Sequence, residues 1–293
     1  MHLNWDWMQP VMPVPFVPTL GPVHPAGPLP RLFTAAAGVA DNGKFLPYDK
    51  DRRWSQTKTE RILTGAVRHN ARQTLIPTLS DPGRRGAVKV HVYGMPDALA
   101  DAAELARELA AAHRVGAARI VWFLGPDQPE QSAAAVGTRV QMKDFTSPGP
   151  EALPTAAVRP YDGQPETVKA TFGAFAEDMK ADGLEFLHEQ MTAGTVGPVL
   201  TVARDGHVAG AIGPMETMSD EAGRTRLLPQ YFAVLPQYRG HGYGRALWRA
   251  AMAWGRASGA AYQLLQTEVG GASDRLCQAE GLTSLGFVCT RPA

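Results

Sequence analysis

Residues Leu235–Leu247 read LPQYRGHGYGRAL, a basic loop punctuated by glycines that runs straight into an apolar helix. The segment before it, RLLPQYFAV from Arg226 to Val234, has the aromatic and β-branched content of a strand. Glycines let the backbone turn tightly, and no side chain blocks the approach of a ligand. The first turn of the following helix leaves its own N–H groups unpaired and slightly positive. Arg239, Arg245 and His241 add positive charge at the rim. Strand, glycine-rich loop and helix N-terminus in succession are a ready cradle for a phosphate group. The plain alternative is a tight β-to-α turn with no ligand. No Gly-Lys-Ser/Thr follows, which excludes the nucleoside-triphosphate loop. The dinucleotide fingerprint fits poorly, because that motif opens a βαβ unit, whereas this strand lies deep in the chain behind a hairpin.

On either side of the loop, residues 154–290 show a consistent order of elements. Thr155–Pro160 is a short strand. Glu166–Met191 is helical, anchored by Phe172, Phe175, Met179, Leu184 and Leu187, and Gly183 divides it in two. Pro198–Ala203 and His207–Ile212 flank Asp205-Gly206, a strong hairpin signal. Met218–Thr225 reads as a polar loop and Leu227–Val234 as the next strand. Tyr243–Ala257 is a helix, Ala261–Val269 a strand, Ser273–Thr283 a helix and Phe287–Thr290 a closing strand.

The segment VLPQYRGHGYGRALWRAAMAWGRASGA resembles the acyl-coenzyme A signature of the GNAT superfamily of N-acetyltransferases. The resemblance is specific at the loop and looser over residues 154–290. It implies an α/β (α+β) fold with a mixed, mostly antiparallel sheet flanked by helices. It further implies acetyl-coenzyme A as donor. Arg239, Gly240, His241, Gly242, Tyr243, Gly244 and Arg245 would hold the coenzyme A pyrophosphate, with Ser273 at the start of the next helix as a further contact. Phe232 and Val234 would meet the pantetheine and thioester through their main chain, and the Val234–Leu235 region would supply an N–H to the thioester oxygen.

Acetyl transfer needs a neutral amine, a stabilised oxyanion and a thiolate that can leave. Family members often carry a base on the strand before the loop; here the corresponding positions are Leu228 and Gln230. Many carry a tyrosine four residues before a Gly-Phe pair; here that position is Leu282. Glu268, at a strand end, is the candidate for taking the amine proton through water or binding a cationic substrate, and its plain reading is a solvated strand end. Gln230 and Tyr231 are further candidates, with Tyr231 reading more as core. Glu216, Asp220 and Glu221 lie in a loop that could close over an amine, and His188 and Glu189 on the second helix of the 166–191 region. Cys277 offers covalent catalysis as a weak alternative. The two cysteines and eight dispersed histidines make no metal set.

The N-terminal half gives less. Residues 1–50 hold nine prolines, a density that disfavours helix and central strand. With Trp5, Trp7, Phe16 and Phe33 it reads as an irregular arm packed on the body, or as a lid. Arg61–Gln73 and Asp97–His113 read as helices and Ile120–Leu124 as a buried strand. RVGAARIVWFL (Arg114–Leu124) is similar to RASGAAYQLLQ (Arg256–Gln266), and each follows an alanine-rich helix. Residues 51–150 therefore read as a degenerate copy of the catalytic domain at 154–293, as in GNAT members with two domains of which one is active. Its counterpart of the phosphate loop, YGMPDA from Tyr93 to Ala98, carries a proline and an aspartate and should bind no diphosphate.

The chain has 293 residues and a formal charge of +1. That balance gives no argument for nucleic acid or an anionic membrane. No apolar run approaches spanning length, and no secretory leader is expected. The expectation is a cytoplasmic enzyme acting on a small-molecule amine, with a homodimer compatible. The small residues Ala209, Gly210 and Gly213 leave room for a longer-acyl or carrier-bound donor. A catalytically silent coenzyme A-binding module is the other reading.

Overall fold

The computed structural model describes residues 13–39, 42–70, 72–80, 85–94, 99–128, 137–146 and 158–293. The architecture is a mixed, mostly antiparallel sheet flanked by helices, as the sequence implied. The chain divides into two compact units. The first holds residues 1–143, 220–223 and 264–293; the second holds residues 144–219 and 224–263.

In the first unit, β1 (Phe16–Val17) and β2 (Gly21–Pro22) form a small hairpin, followed by α1 (Leu29–Gly38). The main sheet uses β3 (Arg61–Ile62), β4 (Arg68–His69), β5 (Gln73–Ser80), β6 (Ala87–Gly94), β7 (Ala117–Leu124) and β8 (Gly137–Asp144), with α2 (Leu99–His113) between β6 and β7. The chain's last strand, β16 (Thr283–Pro292), lies between β7 and β8 and runs antiparallel to both. β6 and β7 are parallel over Ala87–Val92 and Ala117–Trp122. Alternate side chains of these strands point to opposite faces. Ile120, Trp122, Leu124, Phe287 and Cys289 pack with Leu105 and Ala106 of α2. Val121, Phe123 and Val288 pack with Val14, Phe16 and Phe33 of the N-terminal segment. A sheet buried on both faces explains why β7 is a near-continuous apolar run.

Two expectations fail here. Arg61–Gln73 is not helical: it forms β3, a single 3-10 turn at Thr64–Ala66 and β4, ending where β5 begins. Its polar and basic residues flank an edge hairpin that pairs with β5, and pairing overrides local helical preference. The proline-rich segment is also more ordered than expected. α1 starts with Pro28 as N-cap and Pro30 in its first turn, where a missing N–H costs nothing. Trp5, Trp7, Asp97 and Met95–Ala98 lie outside the described residues.

In the second unit, β9 (Val158–Pro160), β10 (Leu200–Arg204), β11 (His207–Gly213) and β14 (Tyr231–Val234) form an antiparallel sheet in the order β14-β11-β10-β9. The turn at Asp205-Gly206 joins β10 to β11, with φ of 52° and 78° at its two residues. The helical region is α3 (Glu166–Lys169), α4 (Phe172–Asp178) and α5 (Leu184–Thr192), broken at Gly183. Phe172, Phe175, Met179, Leu184 and Leu187 form one buried cluster with Val208, Ala211 and Ala233. α6 (Tyr243–Ala257) packs on β10 and β11.

The expected polar loop at Met218–Thr225 is a hairpin of β12 (Thr217–Ser219) and β13 (Thr225–Leu227). The expected strand Leu227–Val234 is two strands. β13 pairs in parallel with the start of β15 (Tyr262–Glu268), whereas β14 pairs with β11. Pro229, without an N–H, stands in the break. The final helix, α7 (Ala272–Ala279), ends earlier than expected, and β16 is longer at both ends.

Candidate functional site

The break between β13 and β14 is held by amide side chains. Gln263, fully buried, donates from Nε2 to the Leu228 carbonyl at 3.3 Å and to Gln230 Oε1 at 2.8 Å. Gln230 in turn donates from its own Nε2 to the Leu228 carbonyl. Gln230 is therefore a bracket in the backbone, with both ends of its amide engaged. Tyr231, the first residue of β14, packs its ring against Phe186, with centroids 5.8 Å apart. Gly183 makes room for it, since a Cβ there would lie 2.6 Å from the Tyr231 ring. These contacts pack the partly buried Tyr231 against the buried cluster of the second unit.

β14 is the edge of its sheet. The Leu235 N–H donates to the Ala209 carbonyl at 2.9 Å. Bonded and non-bonded pairs alternate along an antiparallel ladder. Ala233 and Tyr231 therefore bond to β11, while the main-chain groups of Phe232 and Val234 face the open edge. The Val234 carbonyl accepts from Arg239 Nε at 3.0 Å. Of the Val234–Leu235 pair, only the Val234 N–H remains on the open side; that of Leu235 is taken.

Beyond Val234 the chain makes a 3-10 turn at Pro236–Tyr238 and then the glycine loop. Gly240 and Gly242 have φ of 83° and 79°, and a Cβ at either would meet nothing within 4 Å. The glycines serve a left-handed backbone beside open space, not a crowded core. Gly242 is the N-cap of α6, and no side chain caps that end. The first intrahelical bond runs from Ala246 N to Gly242 O at 3.0 Å, so the amides of Tyr243, Gly244 and Arg245 precede it. His241 is held by the Arg239 carbonyl, with Nδ1 at 3.0 Å, and its ring stacks on Tyr243 at 6.0 Å. Gly244 sits over Phe232, whose ring edge lies 3.5 Å from where a Cβ would be. The structure thus brings together Phe232, Val234 and residues 239–245 at the end of one strand and the start of one helix.

Residues 166–277 match the family model for the Acetyltransferase (GNAT) family. The mixed, mostly antiparallel sheet flanked by helices matches the architecture of that family. Solved structures with a similar chain trace include a GCN5-related N-acetyltransferase from Sphaerobacter thermophilus, at 11% identity and a TM-score of 0.46, covering 77% of this chain and 82% of that one. Another, from Kribbella flavida, has 14% identity and a TM-score of 0.40, with 78% and 90% covered. A tandem GNAT protein from the clavulanic acid biosynthesis pathway has 14% identity and a TM-score of 0.46, with 88% and 92% covered. No curated protein matches the chain. Against the GNAT signature the departures noted in the sequence stand: Leu228 and Leu282 are buried apolar residues.

The other candidates fall elsewhere. Glu268, at the exposed end of β15, and Ser273, exposed in the first turn of α7, belong to the first unit. His188 packs against Phe172, with ring centroids 5.5 Å apart, a core contact. Glu221 pairs with Arg31 at 3.2 Å, and Glu216 Oε1 accepts from the Gly197 N–H at 3.3 Å. Burial, and then the charges of Asp274 and Glu280, push the Cys277 thiol up to about 12; burial alone pushes Cys289 to about 11. Neither forms a thiolate nucleophile near neutrality. Among the described residues no group of three or more His, Cys, Asp or Glu could hold a metal, and no helix is long and apolar enough to cross a membrane.

A buried carboxylate in the first unit carried no local signal in the sequence. Asp274, 1% exposed, accepts from Arg139 Nε at 2.9 Å, Gln141 Nε2 at 3.0 Å, Thr267 Oγ1 at 3.1 Å, the Gly270 N–H at 3.0 Å and Gln278 Nε2 at 2.9 Å. Burial alone would raise its carboxyl, but the Gly270 N–H and the Arg139 guanidinium outweigh that and hold it below the usual carboxylate range. It ties α7 to β8 and β15 and is structural.

Proposed function

We propose that the chain is an acyl-coenzyme A-dependent N-acyltransferase, with acetyl-coenzyme A as donor and a small-molecule amine as acceptor, working in the cytoplasm. The observation that carries this reading is the junction of β14 and α6. An edge strand turns the main-chain groups of Phe232 and Val234 outward and leads through open-space glycines to an uncapped helix start. That arrangement fits a pantetheine arm along the strand and a pyrophosphate on the amides of residues 239–245, with Arg239 and Arg245 adding charge. When bound, the coenzyme supplies the activated acyl group. The Val234 N–H is the chain's donor toward the thioester oxygen. Glu268 takes the amine proton through water.

Within the same proposal, residues 1–50 form an arm, 51–150 a degenerate copy and 154–293 the catalytic domain. β6, α2 and β7 form a strand–helix–strand unit with parallel strands. In the second half, β13 and β15 are also parallel, but β14 stands between β13 and α6 in the chain.

Calorimetric titration with acetyl-coenzyme A and with free coenzyme A tests the core of the proposal. Saturable binding at one site per chain, followed by turnover with an amine panel, is the expected result. No saturable binding of either ligand would remove it. A second reading, a catalytically silent coenzyme A-binding module, is favoured by two observations: Gln230 is locked in its bracket, and Leu282 stands where the family's tyrosine would be. Turnover with any amine discards it. A longer-acyl or carrier-bound donor is distinguished by a donor panel.

A further inference from the structure

The first unit contains a cavity of about 600 Å³ between one face of its sheet and the N-terminal segment, and the coenzyme loop takes no part in it. That size suits a small organic molecule. The roof is firmly built. The Tyr93 hydroxyl donates to the Phe16 carbonyl at 2.9 Å. Lys58 donates to the Thr19 carbonyl at 2.6 Å and forms a buried ion pair with Asp49.

The charges of the lining decide what would fit. Three cations and three carboxylates face the cavity, and four of them are paired within the wall: Lys50 with Asp51 at 2.6 Å, and Lys89 with Glu60 at 3.0 Å. Arg119 on β7 and Glu268 on β15 have no ion-pair partner among the described residues. The strand order β15-β8-β16-β7 separates them by three strand spacings, and the register sets Arg119 four residues along β7 from the position level with Glu268, about 20 Å between backbones. Side chains of opposite charge that far apart, left unpaired on one cavity, are the complement of a ligand with charges at both ends.

Between them the lining is neutral. His91, 3% exposed, has Nδ1 at 3.2 Å from the Ile76 carbonyl, so Nδ1–H donates there and Nε2 keeps its lone pair. Burial pulls this imidazole down to about 4, so it stays uncharged at neutral pH and repels neither end of the ligand. Thr138 and Thr290 add hydroxyls to the same lining.

We propose that this cavity binds a small zwitterion, its ammonium at Glu268 and its carboxylate at Arg119. Binding at this cavity does not depend on the transferase reading above.

The test is titration of the full chain with 6-aminohexanoate, hexylamine and hexanoate, each with and without coenzyme A. The zwitterion should bind about tenfold or more tightly than either single-charge analogue, the scale of one charge-assisted contact. Arg119→Gln and Glu268→Gln should each remove that advantage, and Arg119→Lys should restore part of it. Equal affinity for all three probes, no binding of any, or an advantage that survives both variants overturns the proposal. The Gly242→Asp variant separates the two readings. It should lose coenzyme A and keep the zwitterion, whereas a wild-type chain that binds coenzyme A but no zwitterion refutes only this inference.

Discussion

Arg239 donates from Nε to the Val234 carbonyl at 3.0 Å, closing the end of an open strand edge with the first cation of the glycine loop. The contact joins the two parts of the proposed coenzyme site, strand and loop, through one side chain. Arg239 is exposed, so Arg239→Ala should weaken coenzyme A binding about tenfold while changing stability by under about 1 kcal/mol. Calorimetry and a denaturant melt check both; a large stability loss with unchanged affinity would show that the contact is structural.

Gly242 combines φ of 79° with its place as N-cap of α6. Gly242→Asp puts a negative charge where the pyrophosphate would sit and should cut coenzyme A affinity by about 100-fold or more. Gly242→Ala adds only backbone strain, on the order of 1 kcal/mol, and should cost far less affinity. If both variants bind like wild type, the site is misplaced.

Asp274→Ala leaves Arg139, 13% exposed at its side chain, without its carboxylate and strands Gln141 and Thr267. A loss of about 3–5 kcal/mol is expected, the cost of breaking a buried pair from one side. Asp274→Asn should cost less, since one oxygen still accepts. Urea unfolding followed by circular dichroism measures both.

His91 makes the protein acid-sensitive in a defined window. Burial lowers its folded value to about 4 from 6.5, so between those values the unfolded chain binds more protons. Its contribution is fully present above pH 6.5 and falls by about 3 kcal/mol as pH drops toward 4. Glu60 and Asp274, both held below ordinary carboxylate values, lose their contributions at more acid pH. Stability curves at pH 7 and pH 4.5 should converge for His91→Gln relative to wild type; parallel curves would contradict the assignment.

Cys277 should resist iodoacetamide in the native protein and react on unfolding, because its thiol is pushed to about 12. Cys277→Ala should leave any acyl transfer intact. Rapid native alkylation coupled to loss of turnover would restore covalent catalysis as a mechanism.

The loop was legible because its signal is local. Glycines at 240, 242 and 244, flanking arginines and an amphipathic run fix a turn and the start of α6 at Tyr243, and the helix ends at Ala257 as expected. The same holds for Asp205-Gly206 and for the break at Gly183. Glu268 was picked out as a strand-end carboxylate, and the structure adds the cavity that it lines. The acidic residues Glu216 and Glu221 and the helix residue His188 contact Gly197, Arg31 and Phe172, partners that their local sequence did not show.

Local composition alone thus determined the glycine loop, its helix and the hairpin before it, since each rests on backbone freedom and side-chain spacing within about one turn. Long-range pairing decided the rest. Residues Arg226–Val234 read as one strand, yet the pairing of Leu227 with Gln263 and of Phe232 with Ile212 splits them. β16 enters between β7 and β8 because Val288 can pair with both Phe123 and Thr138. The buried N-terminal segment roofs the cavity for the same reason: apolar residues such as Phe16 and Phe33 were visible in the sequence, but the surface that buries them is assembled from strands over two hundred residues apart.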